Sequence, residues 1–232
     1  MSHAASPSSP ALEAIGFDLD GTLHDRETSL RLFIEAQHER LALAPHVPLA
    51  TWRERFITLD AGGMVWKDRV YQILTTEWLL PRTWQELLAD YEDNFHLSAC
   101  LFADALETLS TLRSRGLTLG LITNGRARLQ GSVIEALGIA DFFSAILISE
   151  SEGVAKPDAE IFRRFLARVS CPAEAAAFVG DSLRADAEGA RNAGLLGVWL
   201  NRDATAAHPD ESLAIVGSLS SLLSLHGLSS SP

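Results

Sequence analysis

The 232-residue chain is short of several residue types, and each shortage closes off a class of protein. Its two cysteines, Cys100 and Cys171, stand far apart and in no Cys/Cys or Cys/His ligand spacing. That excludes a disulfide framework and a thiolate zinc site, and leaves both as reduced, buried thiols. No stretch approaches the roughly 18 apolar residues that cross a bilayer. Basic side chains are outnumbered, 19 Lys and Arg against 30 Asp and Glu, for a net charge of −11. Such a balance argues against a general nucleic-acid binder, which shows a basic face, but permits a local anion site. Lysine occurs only at Lys67 and Lys156, which restricts where a side-chain amine can act. The opening MSHAASPSSP has neither a basic nor an apolar signal region, so a flexible tail and a cytoplasmic location are expected.

What is present is an ordinary globular composition, 47% hydrophobic and 21% charged, with a change of texture along it. LEAIGFD reads as a short buried strand ending at Asp18. From residue 26 to about 98 the apolar positions recur at helical spacing, punctuated by Pro45, Pro48, Gly62, Gly63 and Pro81. Beyond residue 100, strands alternate with helices: LTLGLIT, FSAILIS, AAAFVG and LLGVWLN are the strands, with ADALETLSTLRSRG, LQGSVIEALG, DAEIFRRFLARV and LRADAEGARNAG as helices. The last apolar segment, ESLAIVGSLSSLLSLHG, is expected to be a covering helix. Alternation of this kind implies right-handed crossovers. The fold class is therefore α/β, a Rossmann-like, mostly parallel sheet with helices on both faces, interrupted after its first strand by an all-helical insertion.

In an open parallel sheet, ligands bind beyond the carboxyl ends of the strands. Asp18 and Asp20 lie at the first such end, where two like charges repel unless an opposite charge, most simply a cation, sits with them. The second strand ends at Thr123-Asn124-Gly125, the third leads to Lys156-Pro157, and the fourth ends at Asp181-Ser182 with Asp186 following. Each has a bland reading alone: a turn, a helix cap, a solvated lysine, a charge at a helix N-terminus. Four in register at one edge make a site.

These pieces, DLDGTL, ITN, AKP and GDSLRAD, resemble in order the four motifs of the haloacid dehalogenase (HAD) superfamily, over nearly the whole chain between the tails. The resemblance implies residues 1–11 as a disordered tail, 12–24 and 99–228 as the α/β core, and 25–98 as a small helical cap. It implies Asp18 as nucleophile forming an aspartyl-phosphate, and Asp20 as general acid for the leaving alcohol, then general base for water. Asp18, Asp181 and the backbone carbonyl of Asp20 would hold Mg2+, with Asp186 acting through water or by orienting neighbours. Thr123 and backbone amides near Asn124 would bind phosphoryl oxygens, and Lys156 would neutralise charge there.

Dehalogenases and phosphonatases of the superfamily lack an aspartate at the place of Asp20, which points to phosphate-ester chemistry. The expected function is a Mg2+-dependent phosphatase of a small phosphorylated metabolite, in the phosphoglycolate phosphatase-like or nucleotidase-like texture. A phosphomutase of the β-phosphoglucomutase type, or a non-catalytic binding protein on the same scaffold, is the alternative. The expected partner is a small-molecule phosphate ester, with neither nucleic acid nor membrane; monomer and dimer both stay open. The 33 residues from Thr123 to Lys156 leave no room for a second large cap. Within the first, Gly62-Gly63 and the following Met64, Trp66, Lys67 and Arg69 are candidates for substrate contact. The bland alternative packs Trp66 in the cap core and leaves Lys67 and Arg69 on a solvated face. His24 is either a substrate contact or an exposed turn residue, and Arg202 either tunes the edge of the site or forms an ion pair.

Overall fold

A computed structural model describes residues 11–203 and 213–225. The expected tail, residues 1–11, lies outside them apart from Ala11. The chain divides into two compact units, one running to His24 and resuming at Leu101, the other Asp25–Cys100.

The first unit begins with β1 (Ala14–Phe17), all four residues buried. The second unit follows as four helices: α1 (Arg26–Arg40), α2 (Leu49–Asp60), α3 (Lys67–Glu77) and α4 (Trp84–Asn94). The first unit then resumes with α5 (Ala105–Ser114), β2 (Thr118–Thr123), α6 (Ala127–Ala136), β3 (Ala145–Ile148), the short α7 (Ser149–Glu152), α8 (Ala159–Val169) and β4 (Ala176–Gly180). After β4 the chain winds as a π-helix over Leu183–Glu188, then α9 (Gly189–Asn192), β5 (Leu196–Leu200), β6 (Ala214–Val216) and α10 (Leu219–Leu222). The six strands pair in the order β3-β2-β1-β4-β5-β6, every pair parallel.

The central strands are covered on both faces, which is why AIGF and AAFVG are uninterrupted apolar runs rather than alternating ones. Helix α8 shows how one face is sealed. Asp158 caps it by accepting from the Glu160 N–H, and Ile161, Phe162, Phe165 and Leu166 recur at helical spacing and are buried. The Phe162 ring meets Phe178 of β4 edge-on, centroids 5.1 Å apart.

The expected C-terminal helix is corrected. Its apolar run Leu213-Ala-Ile-Val216 is consecutive, not helically spaced, and forms edge strand β6 on β5, with only the four-residue α10 behind it. Residues 211–212 and 226–227 of that segment lie outside the described residues.

In the helical unit, Asp25 caps α1 by accepting from the Thr28 N–H, and Thr83 with Glu86 forms a capping box on α4. Its ends are tied together: the Asp25 N–H donates to the Cys100 carbonyl at 2.9 Å and the Cys100 N–H to Ser29 Oγ at 3.0 Å. Its core is aromatic, with edge-on pairs Phe33–Tyr91 and Phe56–Tyr71. Beside it Asp60 is buried with two cations. Arg26 donates through both terminal nitrogens, each at 3.0 Å, and Lys67 Nζ bonds to the same carboxylate while lying 5.5 Å from the Tyr91 ring. The bland expectation is reversed at two places and holds at the third: Trp66 is 59% exposed and Lys67 is buried, whereas Arg69 is exposed. The pull on Lys67 is electrostatic, since the buried Asp60 carboxylate attracts a second cation beside Arg26.

Burial alone would raise the Asp60 carboxyl, but the hydrogen bonds and charges of Arg26 and Lys67 carry it below the ordinary range. A depressed folded value means the stabilisation is complete above the unfolded value of about 4 and is lost as pH falls through the folded one. Asp60→Asn should therefore lower the urea-unfolding free energy at pH 7 by about 3 kcal/mol, the low end for a broken buried pair because Arg26 keeps part of its hydration. The gap between variant and wild type should shrink below about pH 4. Equal stability at pH 7 would contradict this account.

Candidate active site

Four strand ends bring the chemically active side chains of the first unit together. Asp18 directly follows β1, its backbone N–H donating to the Val179 carbonyl of neighbouring β4 at 2.9 Å. Lys156 arrives from the loop between α7 and α8, beyond β3, and Asn124 after β2 holds it there. The Asn124 side-chain amide donates to the Lys156 carbonyl and accepts from the Lys156 N–H, both at 2.9 Å. Lys156 Nζ then donates to Asp18 Oδ1 at 2.6 Å and lies 2.7 Å from Asp186 Oδ1. Thr22 ties the first and fourth ends, its hydroxyl donating to Asp18 Oδ2 at 3.2 Å and accepting from the Asp181 N–H at 3.1 Å. Gly21, at φ +80°, turns the chain between them; a Cβ there would lie 2.2 Å from Asp181 Oδ2. No side chain other than hydrogen fits that place.

The carboxylates of Asp18, Asp181 and Asp186 lie with ligand oxygens all within 4.8 Å of one another. Asp18 and Asp186 are buried and Asp181 is exposed. One lysine against three carboxylates leaves an excess of two negative charges. Burial drives the Asp18 carboxyl well above its ordinary range; Lys156 pulls it down, and Asp186 and Asp181 push it further up. Burial and the Asp186 charge raise Asp181 to about 6. Lys156 would be lowered by burial, but the charges of Asp18 and Asp186 more than offset this and keep it a cation. Asp186 Oδ1, though close to Lys156, completes no well-aligned hydrogen bond. Three clustered carboxylates with only one cation among them and an exposed side fit a hard divalent cation such as Mg2+.

A family model of haloacid dehalogenase-like hydrolases matches residues 12–194. The chain belongs to that family. Glyceraldehyde 3-phosphate phosphatase from Methanothermobacter thermautotrophicus is 31% identical over 211 residues, 86% of this chain and 90% of that protein. Phosphoserine phosphatase from Thermus thermophilus is 40% identical over 112 residues, so this chain spans 45% of its length. The magnesium-bound crystal structure of the HAD-hydrolase YfnB from Bacillus subtilis superposes with a TM-score of 0.80 at 25% identity, covering 95% of this chain and 100% of that one. Among the described residues no helix is long and apolar enough to cross a membrane.

The HAD motif residues come together unequally. Asp18, Lys156, Asp181 and Asp186 converge, and Thr123, buried, closes the end of β2. Asp186 sits in the cluster itself, beside Lys156, rather than at its margin; the π-helical winding of Leu183–Glu188 brings it back, and the Ser182 N–H donates to it at 2.9 Å. The Asp20 carboxylate stands outside the cluster of three. Its Oδ1 is 2.6 Å from His24 Nδ1, and its Oδ2 accepts from Gln130 Nε2 at 2.9 Å. Both expectations for His24 are corrected: it is fully buried, neither an exposed turn residue nor open to a substrate, because the 19–24 turn folds its ring under Asp20. Gln130 was not anticipated; at an apolar-flanked helical position nothing local marks it. The Asn124 side chain is spent on Lys156. Arg202 donates to the Thr22 carbonyl at 3.1 Å, lies 3.4 Å from Asp104 and stacks 3.7 Å over Phe102, a structural bracing of the motif. Lys67, bound to Asp60, and exposed Arg69 belong to the helical unit.

Mg2+ in hundredfold excess over its dissociation constant should raise the unfolding free energy by about 2.7 kcal/mol, read as an upward shift of the thermal midpoint. Asp181→Asn should remove most of that shift. A wild-type midpoint indifferent to millimolar Mg2+ would mean that the cluster does not hold the ion.

Proposed function

We propose that the protein is a Mg2+-dependent phosphatase that hydrolyses a small phosphorylated metabolite through an aspartyl-phosphate on Asp18. The observation that carries the reading is the separation of the two motif aspartates. Asp18 lies in the acidic cluster against Lys156, while the Asp20 carboxyl is held apart from it and stays 29% exposed. One carboxylate is thus assigned to nucleophilic attack and the other to proton transfer.

Asp18 attacks phosphorus, the bond to the ester oxygen breaks, and Asp20 gives its proton to the departing alcohol. Asp20 then takes a proton from the water that cleaves the aspartyl-phosphate, which releases inorganic phosphate and restores Asp18. Lys156 keeps its charge against Asp18 and the phosphoryl oxygens, and Thr123 with the backbone N–H groups after it receives the remaining oxygens. Asp18, Asp181 and Asp186 would hold Mg2+, with the Asp20 carbonyl a further ligand; bound there, the ion supplies positive charge against phosphoryl oxygens and nucleophile. The relatives act on small phosphate esters by name, which supports a substrate of that class for this chain.

Purified protein should release nitrophenol from 4-nitrophenyl phosphate only when Mg2+ is present. Asp18→Asn should abolish turnover. For an alkyl phosphate, Asp20→Asn should lower kcat by about 10²–10⁴-fold, the usual worth of a positioned acid or base. No Mg2+-dependent release by wild type, or full activity in Asp18→Asn, would sink the reading.

A further inference from the structure

We propose that His24 and Gln130 are positioning residues for Asp20, jointly setting the plane of the carboxyl from which the leaving alcohol takes its proton. The proposal rests on the reading of Asp20 as that proton donor. A carboxyl turns on two single bonds, and the torsion next to it is broad, so burial alone does not aim it. Here each oxygen has its own partner from a different element: Oδ1 faces His24 Nδ1 at 2.6 Å, and Oδ2 accepts from Gln130 Nε2 at 2.9 Å. Two hydrogen bonds to different oxygens define a plane, where one defines only an axis.

Both partners are themselves fixed. His24 is fully buried at the close of a tight turn, its N–H donating to the Leu19 carbonyl and its carbonyl accepting from the Gly21 N–H, each at 2.9 Å. Isolated bridges join its backbone to Asp20 and to Leu101. Gln130, on α6, is 5% exposed and has a second, longer contact to the Asn124 carbonyl at 3.4 Å. Position 125 has to be glycine for its amide to arrive. A Cβ on Gly125 would lie 2.6 Å from Gln130 Nε2 and 2.8 Å from its Cγ. With no side chain at 125, that space is left to the Gln130 amide. Neither residue touches the reacting atoms; each acts through Asp20, by the geometric precision that proton transfer demands.

The distinguishing measurement is the dependence of kcat/KM on the leaving group, across 4-nitrophenyl, phenyl and 4-methoxyphenyl phosphates. That parameter reports steps up to departure of the alcohol, and a nitrophenolate leaves without a proton. Gln130→Met keeps the volume and removes the donor; His24→Leu does the same beneath Oδ1. Each should lose about tenfold on phenyl phosphate and less than about twofold on 4-nitrophenyl phosphate, a steeper slope than wild type. His24→Asn, which returns a hydrogen-bonding atom near the place of Nδ1, should recover most of the loss. Asp20→Asn, the control, should give the steepest slope. A wild-type slope in Gln130→Met beside a steep one in Asp20→Asn overturns the positioning role alone. A wild-type slope in Asp20→Asn overturns the assignment of Asp20 and the positioning role with it. Uniform loss on all three esters also overturns the proposal, because misfolding or lost binding is blind to the leaving group. If the buried His24→Leu fails to fold, Gln130→Met decides.

Discussion

The ammonium of Lys156, lodged between Asp18 and Asp186, is the interaction on which the rest of this site depends. Three carboxylates drawn this close in a buried crevice cannot all ionise unaided, and the raised values of Asp18 and Asp181 express that conflict. Lys156 removes part of it, and a hard cation bound beside it would remove the remainder. The lysine is in turn held by its backbone, through Asn124, rather than by its side chain alone. Its place is thereby set by the loop after β2, one strand removed from the one that supplies it.

The sheet order explains why so few residues suffice. With β1 at the centre, flanked by β2 and β4, the ends of three adjacent parallel strands open on one edge. Each contributes one functional turn: Asp18-to-Thr22 from β1, Thr123-to-Gly125 from β2, Asp181-to-Asp186 from β4. Glycine is required at Gly21, where the first turn approaches Asp181 of the third, and at Gly125, where the second approaches Gln130 of α6. The helical unit is built on a different principle. One buried acid lies beside an aromatic core, and Asp60 draws both Arg26 and Lys67 inward.

Much of this was legible along the chain. The five longer strands announce themselves because a sheet covered on both faces needs continuous apolar runs, and residues at the ends of such runs are the polar ones that face a crevice. The motif aspartates could be read in this way, close after a strand end, and Lys156 from the loop that follows β3 and α7. The short β6 could not, since three residues carry too little pattern to compete with a helical reading of the serine- and leucine-rich segment around them.

The sequence by itself determined the α/β fold, the helical insertion and which polar residues stand beyond the strand ends, because periodicity and strand-end position are local properties. Only the tertiary structure decided which partners those groups meet. His24 lies four residues from Asp20, yet its burial beneath that carboxyl depends on the turn closing against Leu101. Gln130 reaches the same carboxyl from 110 residues away, and Lys67 abandons solvent for Asp60. Hydrogen bonds and ion pairs act over about 3 Å in space, whatever the separation along the chain. Their partners are therefore invisible until the chain has folded.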